Sequence, residues 1–261
     1  MMVQPAAGAQ PPIPPAPSIP PDATEQDIKV VGKSVLGPGN VKFGTTSGPG
    51  LFNNGVTSIA DFFKQDPQAF PDTPASLQRV IQSVSENEGH IEAINTYDNS
   101  FLSCGIFQWT AGAGAGAGEL PGLLDLVRMR SAATFAAYFG SVGLDVAMNA
   151  APAGALRTGF FVLNGQKLNS ATLKAQLRGN LWAYRFWRAA HDPQLRRAQV
   201  ALAMSRVDAD ESAILVAYLA ARLTAGRKSK MTDSQGRADK IKAHVTQGAL
   251  SAKRGSFVLA S

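Results

Sequence analysis

The spacing of apolar residues predicts one strong amphipathic helix in the first half of the chain. Four residues follow the i, i+3, i+4, i+7 spacing of a single buried helical face: Leu77, Val80, Ile81 and Val84. Thr73 is the expected N-cap and Pro74 suits the first helical position, so the helix is predicted to begin at Thr73 and to end near Glu88. At about 100° per residue, Glu88 falls within the apolar stripe, whereas Glu86 falls on the opposite, solvent-facing side.

The pattern changes on both sides of this helix. Residues 27–54 alternate short apolar pieces with Gly-Pro and Asn-Asn turns, which predicts loops or edge strands. Residues 101–110 form a strand-like run. The Gly-Ala stretch at 112–118 is expected to be a flexible loop, because glycine and alanine offer little side chain to fix it. An Asn-Gly turn at 164–165 between two apolar runs predicts a hairpin.

Helical periodicity returns in the second half of the chain. The predicted helices are 123–129, 132–139, 144–148, 171–178, 181–190, 195–207, 212–225 and 238–247. They predict a mainly α fold, a helical domain with a small β-hairpin or sheet beside the helix that ends near Glu88. Eight of the sixteen prolines fall between Pro5 and Pro21. Residues 1–27 are therefore expected to form a disordered, Pro-rich tail or tether, and residues 28–261 a single domain.

Composition and charge narrow the classes of function. The chain has 25 Lys and Arg residues against 19 Asp and Glu, and the net charge of +6 favours an anionic partner such as nucleic acid, a membrane surface or the bacterial cell wall. No segment reaches the roughly 18 apolar residues of a membrane span. The first residues lack the basic start and apolar stretch of a Sec signal, so synthesis in the cytoplasm without that signal is expected. With one cysteine and three scattered histidines, no metal or other cofactor is expected.

Glu88 is the main candidate for a catalytic residue. A carboxyl group at the end of a buried helical face is partly desolvated, which favours its neutral form and raises its pKa. Such a group can donate a proton near neutral pH, as the general acid of glycosidic cleavage does. The alternative is that the helix frays before Glu88 and leaves the carboxylate solvated beside Gly89.

Two segments after this point resemble a known superfamily. Residues 88–95 read Glu-Gly-His-Ile-Glu-Ala-Ile-Asn, and residues 103–109 read Ser-Cys-Gly-Ile-Phe-Gln-Trp. They resemble the lysozyme-like superfamily, particularly lytic transglycosylases and goose-type lysozymes, and more weakly the chitosanases. Glu88 matches the catalytic glutamate that ends a helix, Ile91 matches the hydrophobic residue three positions on, and Gly105 to Gln108 match a Gly-x-x-Gln motif.

The resemblance implies a lysozyme-like fold and cleavage of the β-1,4 glycosidic bonds of bacterial peptidoglycan, by hydrolysis or by the transglycosylase reaction. Two departures concern the transglycosylases: Gly89 stands where they usually have serine, and their later Tyr-Asn motif is not found. The implied partner is the glycan strand, met in the periplasm or cell wall after export or phage delivery. Delivery machinery is expected to contact the Pro-rich tail, and an antibacterial effector of this kind would have an immunity protein as a further partner.

A second carboxylate is expected to activate water or to stabilise charge in the transition state. Asp98 is the first candidate, because loops after the catalytic helix face the cleft in the resembling families. Its alternative is an Asx turn within residues 95–99. Glu92 is expected to be exposed and is the weaker candidate, and Glu119 lies farther away, beyond the Gly-Ala stretch.

Aromatic and amide side chains supply candidate sugar contacts. Tyr97 and Gln108 are candidates for hydrogen bonds to hydroxyl or N-acetyl groups, and Trp109 for stacking on a pyranose face. An aromatic residue on a strand more often packs in the core. Cys104 with His90 nearby is an alternative nucleophile, although a lone cysteine beside an apolar strand is usually a small buried hydrophobe.

Two other classes of function stay open. A wall-binding or structural module of a phage tail or secretion apparatus would keep the fold without catalysis, and Gly89 and the uncertain second carboxylate favour it. A nucleic-acid binder is supported only by charge, which concentrates in residues 227–230, 237–242 and 253–254. The chain lacks an interleaved Arg and aromatic platform, so no nucleic-acid partner is expected.

Overall fold

The structure, a computed structural model, describes residues 18–150 and 157–208. These residues form two antiparallel sheets and seven α-helices. The larger sheet comprises β1 (Lys29–Val31), β2 (Ser34–Leu36), β3 (Lys42–Ser47), β4 (Gly50–Asn53), β5 (Ile94–Asn95), β6 (Ser103–Cys104) and β7 (Trp109–Thr110). The smaller sheet comprises β8 (Leu144–Met148), β9 (Gly159–Leu163) and β10 (Gln166–Lys167). The helices are α1 (Ile59–Gln65), α2 (Ala75–Glu88), α3 (Leu120–Arg130), α4 (Ala132–Tyr138), α5 (Ala171–Lys174), α6 (Asn180–Ala189) and α7 (Pro193–Asp208).

The larger sheet is a meander in which every strand pairs with the next one along the chain. The β1–β2 and β3–β4 turns contain Gly32 and Gly48, whose φ angles of 60° and 50° are left-handed and suit tight turns. α1 and α2 are inserted between β4 and β5, which still pair with each other, with Phe52 opposite Asn95. The sheet therefore brings the end of α2 back beside the strands that precede it.

The prediction of a mainly α, lysozyme-like helical domain is wrong, because the described residues combine seven α-helices with a seven-stranded and a three-stranded antiparallel sheet, and four of these strands precede α1. Residues 27–54 form four paired strands, where the sequence predicted loops or edge strands. Residues 144–148 were predicted to be helical, yet they form β8, in which buried Leu144 and Val146 flank exposed Asp145. Five residues are too few to distinguish helical from strand periodicity, so tertiary pairing decided the outcome.

Several other predicted elements agree with the structure, but residues 101–110, predicted to be one strand-like run, form two two-residue strands joined by a turn. α2 ends at Glu88 as predicted, but it begins at Ala75, and the Thr73 hydroxyl lies 3.9 Å from the Met204 sulfur instead of capping the helix. The hairpin with the Asn-Gly turn is β9–β10. Tyr184, Phe186 and Trp187 of α6 are buried in the core. The predicted helices 212–225 and 238–247 lie outside the described residues.

The end of the Pro-rich segment packs against α6. The Tyr184 hydroxyl donates to the Pro21 carbonyl at 2.6 Å, and Nε of Arg188 donates to the Pro20 carbonyl at 2.8 Å. Ala23 is buried. The domain boundary predicted between residues 27 and 28 therefore lies after a segment that already contacts the folded core.

The Gly-Ala loop at 112–118 is fixed by a buried lysine, which corrects the expectation of a flexible loop. The Lys174 ammonium group donates to the Gly112 carbonyl at 2.8 Å and also to the Gly116 carbonyl. Lys174 is 1% exposed, and this burial lowers the pKa of its ammonium group. The lysine gives the loop the anchor that its own side chains lack.

Lys174→Met is expected to release this loop. The substitution keeps the long apolar stem but leaves two loop carbonyls without their donor, so the free energy of unfolding should fall by about 1–3 kcal/mol. Hydrogen exchange within residues 112–118 should accelerate. Lys167→Met is the matched control, because Lys167 is exposed and its ammonium group lies 4.4 Å from the centre of the Phe160 ring, which Lys174 also approaches. Equal effects of the two substitutions would contradict the anchoring role.

Candidate functional site

Two glutamates near the end of α2 lie in different environments. The four apolar residues of the predicted stripe are all buried, and Glu88, which continues the stripe, is half-buried as the last residue of the helix. Glu86 is exposed, and its Oε1 accepts a hydrogen bond from Nε2 of Gln82 at 2.9 Å. The helix thus places Glu88 against the body of the protein, as the apolar pattern predicts.

The chain leaves α2 through a conformation that only glycine adopts readily. Gly89 has φ 152° and ψ 167°. A Cβ atom at this position would lie 2.6 Å from Cβ of Ala93 and 3.3 Å from Nε2 of Gln108. A serine side chain would therefore collide with Ala93, which explains physically why this chain departs from the transglycosylase pattern at Gly89.

The Gly-x-x-Gln motif forms the tight turn between β6 and β7. Gly105 and Gln108 both have positive φ, 81° and 46°. The Gln108 backbone N–H and its Nε2 both donate to the Gly105 carbonyl, at 3.0 and 3.2 Å, and the Gly105 N–H donates to the Ala93 carbonyl at 2.8 Å. This turn packs the Gln108 side chain against Gly89, so the fold brings the two halves of the sequence motif together.

Asp98 lies at the other end of the β5–β6 hairpin. The Gly105 contact with Ala93 marks the end near Gly89, whereas Asp98 follows the last strand pair, Asn95 with Ser103. Its Oδ1 accepts from the Ser100 N–H at 2.8 Å and its Oδ2 from Nδ2 of Asn95 at 3.0 Å. These contacts form an Asx turn, which was the alternative to a catalytic role for Asp98.

Tyr97 lies beside Asp98 on the same turn and is solvent-accessible. Its side chain is 42% exposed, and its ring meets the ring of Phe52 edge to face, with 6.4 Å between centroids. Phe52 is itself 37% exposed. The two rings form an accessible aromatic pair between β4 and the turn that follows β5, at the end of the β5–β6 hairpin away from Gly89.

Trp109 is fully buried, so neither face of its indole ring is open to a sugar. It packs on Phe107 at 5.2 Å between ring centroids, and the Arg206 guanidinium lies 5.6 Å from the indole centroid. Trp109 therefore packs in the core, which was the alternative to stacking on a sugar.

The two remaining candidate carboxylates are each engaged in an ion pair. Glu92 is 1% exposed, which contradicts its expected exposure, and it pairs with Arg196 of α7. Glu119 precedes α3 and pairs with Arg206, with 2.8 Å between Oε2 and Nη1. The sequence missed both arginines, because the charges that pair with them lie far away along the chain.

Cys104 is expected to be inert toward thiol reagents in the folded protein. Burial, together with the nearby Glu92 carboxylate, raises the pKa of its thiol from 9.0 to about 12. The folded state therefore retains a proton that the unfolded state loses above pH 9.0, so the free energy of unfolding should fall as the pH rises from 9.0 toward 12. In this range, the titration of one thiol should lower the free energy of unfolding by about 1.4 kcal/mol per pH unit.

Urea unfolding of the wild type and of Cys104→Ala across this range isolates the contribution of the thiol. The variant keeps every other titrating group, so its free energy of unfolding should lack only the pH dependence that the thiol contributes. A folded wild type whose thiol reacts near neutral pH as fast as a free cysteine would contradict the burial.

One groove lies between α1 and α2, with a volume of about 330 Å³. It is lined by Ile59, Ala60, Phe63, Lys64, Ala75, Gln78, Arg79 and Gln82. Its α2 residues project from the side of that helix away from the buried stripe, so the groove is separate from Glu88. Within residues 18–150 and 157–208, no three His, Cys, Asp or Glu side chains are grouped to hold a metal ion.

Across the same described ranges, no helix combines the length and apolar character that crossing a bilayer requires. Comparison with known proteins found no matching family model, no matching curated protein and no matching solved structure.

Proposed function

We propose that this protein cleaves the β-1,4 glycosidic bonds of bacterial peptidoglycan with Glu88 as the general acid. The observation that carries the proposal is the contact between the segment that follows Glu88 and the Gly105–Gln108 turn. Gly89 lies against the Gln108 amide, so two motif segments separated in sequence form one structural unit. Glu88 directly precedes Gly89 and is half-buried at the end of α2, next to this unit.

In the proposed reaction, the Glu88 carboxyl donates its proton to the glycosidic oxygen, and the C–O bond breaks with its electron pair remaining on that oxygen. The leaving sugar departs as an alcohol, and positive charge develops at the anomeric carbon. Water then adds its oxygen to this carbon and returns one proton to Glu88, which leaves a reducing end. If a hydroxyl group of the sugar attacks instead of water, the same proton return gives an anhydro sugar.

The other candidate residues fit this proposal to different degrees. In this proposal the Gln108 amide binds a sugar near the cleaved bond, and the motif turn holds its side chain beside Gly89. Tyr97 with Phe52 suits a more distant part of a glycan strand, since sugar rings stack on exposed aromatic faces. The net charge of +6 favours association with the anionic wall.

A wall-binding module without catalysis is the second candidate function. It is favoured by the engagement of the three other candidate carboxylates: Asp98 in an Asx turn, Glu92 with Arg196, and Glu119 with Arg206. An acid without a second carboxylate would have to stabilise the transition state through backbone and amide groups.

Mass spectrometry of the soluble fragments released from purified peptidoglycan distinguishes the two candidates. Reducing muropeptides would identify a hydrolase, and anhydro muropeptides a lytic transglycosylase. Sedimentation of the protein with peptidoglycan without any released fragment would overturn the proposal in favour of the binding module.

A further inference from the structure

Three long polar side chains of α7 point into the protein from one face of the helix. Arg196, Gln199 and Arg206 lie within about 80° of one another around the helix axis. Arg196 and Gln199 are 4% and 0% exposed, and the Arg206 side chain is 10% exposed. Polar residues of this length are seldom buried unless each has a partner. The buried face of α7 is therefore built to hold other segments by hydrogen bonds and ion pairs.

Gln199 joins the two segments that make up the candidate site. Its Oε1 accepts a hydrogen bond from the Ile106 N–H at 3.1 Å, inside the Gly-x-x-Gln turn. Its Nε2 donates to the Ile91 carbonyl at 3.0 Å, three residues after Glu88. One carboxamide group thus fixes the distance between the segment that follows Glu88 and the turn that carries Gln108.

Gly105 shows how tightly this carboxamide fits. A Cβ atom on Gly105 would lie 2.1 Å from Oε1 and 2.7 Å from Cδ of Gln199. No other residue type leaves room for Gln199 at this point, and the φ of 81° also favours glycine. The first glycine of the Gly-x-x-Gln motif is therefore required by a side chain from a different helix.

We propose that Gln199 is a positioning residue for the glycosidic reaction, holding the Gln108 turn in register with the segment after Glu88. This inference rests on the proposed function of Glu88. It adds Gln199 as the residue that fixes the segments around Glu88. Gln199 is completely buried and touches no substrate, so it acts through the two backbone segments that it joins. A small displacement of aligned groups is enough to slow an enzyme strongly.

Gln199→Met tests this role, because methionine keeps the length and approximate volume of glutamine and loses both hydrogen bonds. Soluble, uncrosslinked peptidoglycan strands serve as substrate, at a temperature where circular dichroism shows the variant folded. We expect kcat to fall about 100-fold while KM stays near the wild-type value. Hydrogen exchange at the Ile106 amide should accelerate in the same variant.

Val200→Ala is the matched control, since Val200 is a buried neighbour on α7 that makes neither hydrogen bond. It should lower thermal stability while the kcat of the folded protein is unchanged. A Gln199→Met variant with faster exchange at Ile106 and wild-type kcat would show a purely structural residue and overturn the inference. A wild type that releases no fragments would overturn the proposed function, and the inference with it, so the two failures are distinguishable.

Discussion

Glu88→Gln is expected to lower the rate of fragment release from peptidoglycan by about 100- to 10,000-fold, the contribution of a general acid. Glutamine has nearly the shape of glutamic acid but has no acidic proton to give to the glycosidic oxygen. Because Glu88 ends α2 and is only half-buried, the substitution leaves the buried stripe of that helix unchanged. The measurement is the initial rate of release by wild type and variant at equal concentration.

Glu86→Gln is the matched control for this experiment. It makes the same chemical change two residues earlier on the same helix, but on the exposed side, where Glu86 only accepts a hydrogen bond from Gln82. The control should release fragments at the wild-type rate. Equal rates for Glu88→Gln and wild type, with both proteins folded, would remove Glu88 from the reaction.

The sequence predicted α2 well because the determinants of this helix are local, but it did not predict the turn at residues 105–108. α2 has 14 residues, about four helical turns, so its period is well defined, and the end of the helix is marked by Gly89. The Gly105–Gln108 motif closes its own turn through hydrogen bonds between its first and last residues.

The larger sheet could not be predicted in the same way. Its strands are two to six residues long, too short for a clear alternation of buried and exposed positions. The pairing of β4 with β5 also joins residues on either side of two helices. Such pairing depends on contacts between distant residues, which the local pattern of one sequence does not contain.

The role of α7 could not be predicted from the sequence for a related reason. Arg196 and Gln199 resemble solvent-facing residues when the helix is considered alone, because arginine and glutamine are usually exposed. Their partners include Glu92, in the segment before β5, and the backbone at Ile91 and Ile106. Only the assembled fold shows that α7 holds the segments flanking β5 and β6 in place.

The largest expected loss of stability follows from this arrangement. Glu92→Gln should lower the free energy of unfolding by about 3–5 kcal/mol, because it leaves the buried Arg196 guanidinium without its counter-charge. The carboxylate also accepts hydrogen bonds from the N–H groups of Val56 and Thr57, at 3.1 and 2.9 Å, so it joins the segment before α1 to α7. Urea unfolding with linear extrapolation measures the change.

Two further variants show whether the loss comes from an unpaired buried charge. Arg196→Met should destabilise the protein by a similar amount, since it leaves the buried Glu92 carboxyl group without its partner. The double variant Glu92→Gln/Arg196→Met removes both charges, so its loss should be clearly smaller than the sum of the single losses. Lys64→Met breaks the exposed pair with Asp61, whose side chains are 74% and 47% exposed, and should cost less than about 1 kcal/mol. Strictly additive losses at Glu92 and Arg196 would mean that the two side chains stabilise the fold independently, and that burial of their charges is not the cause.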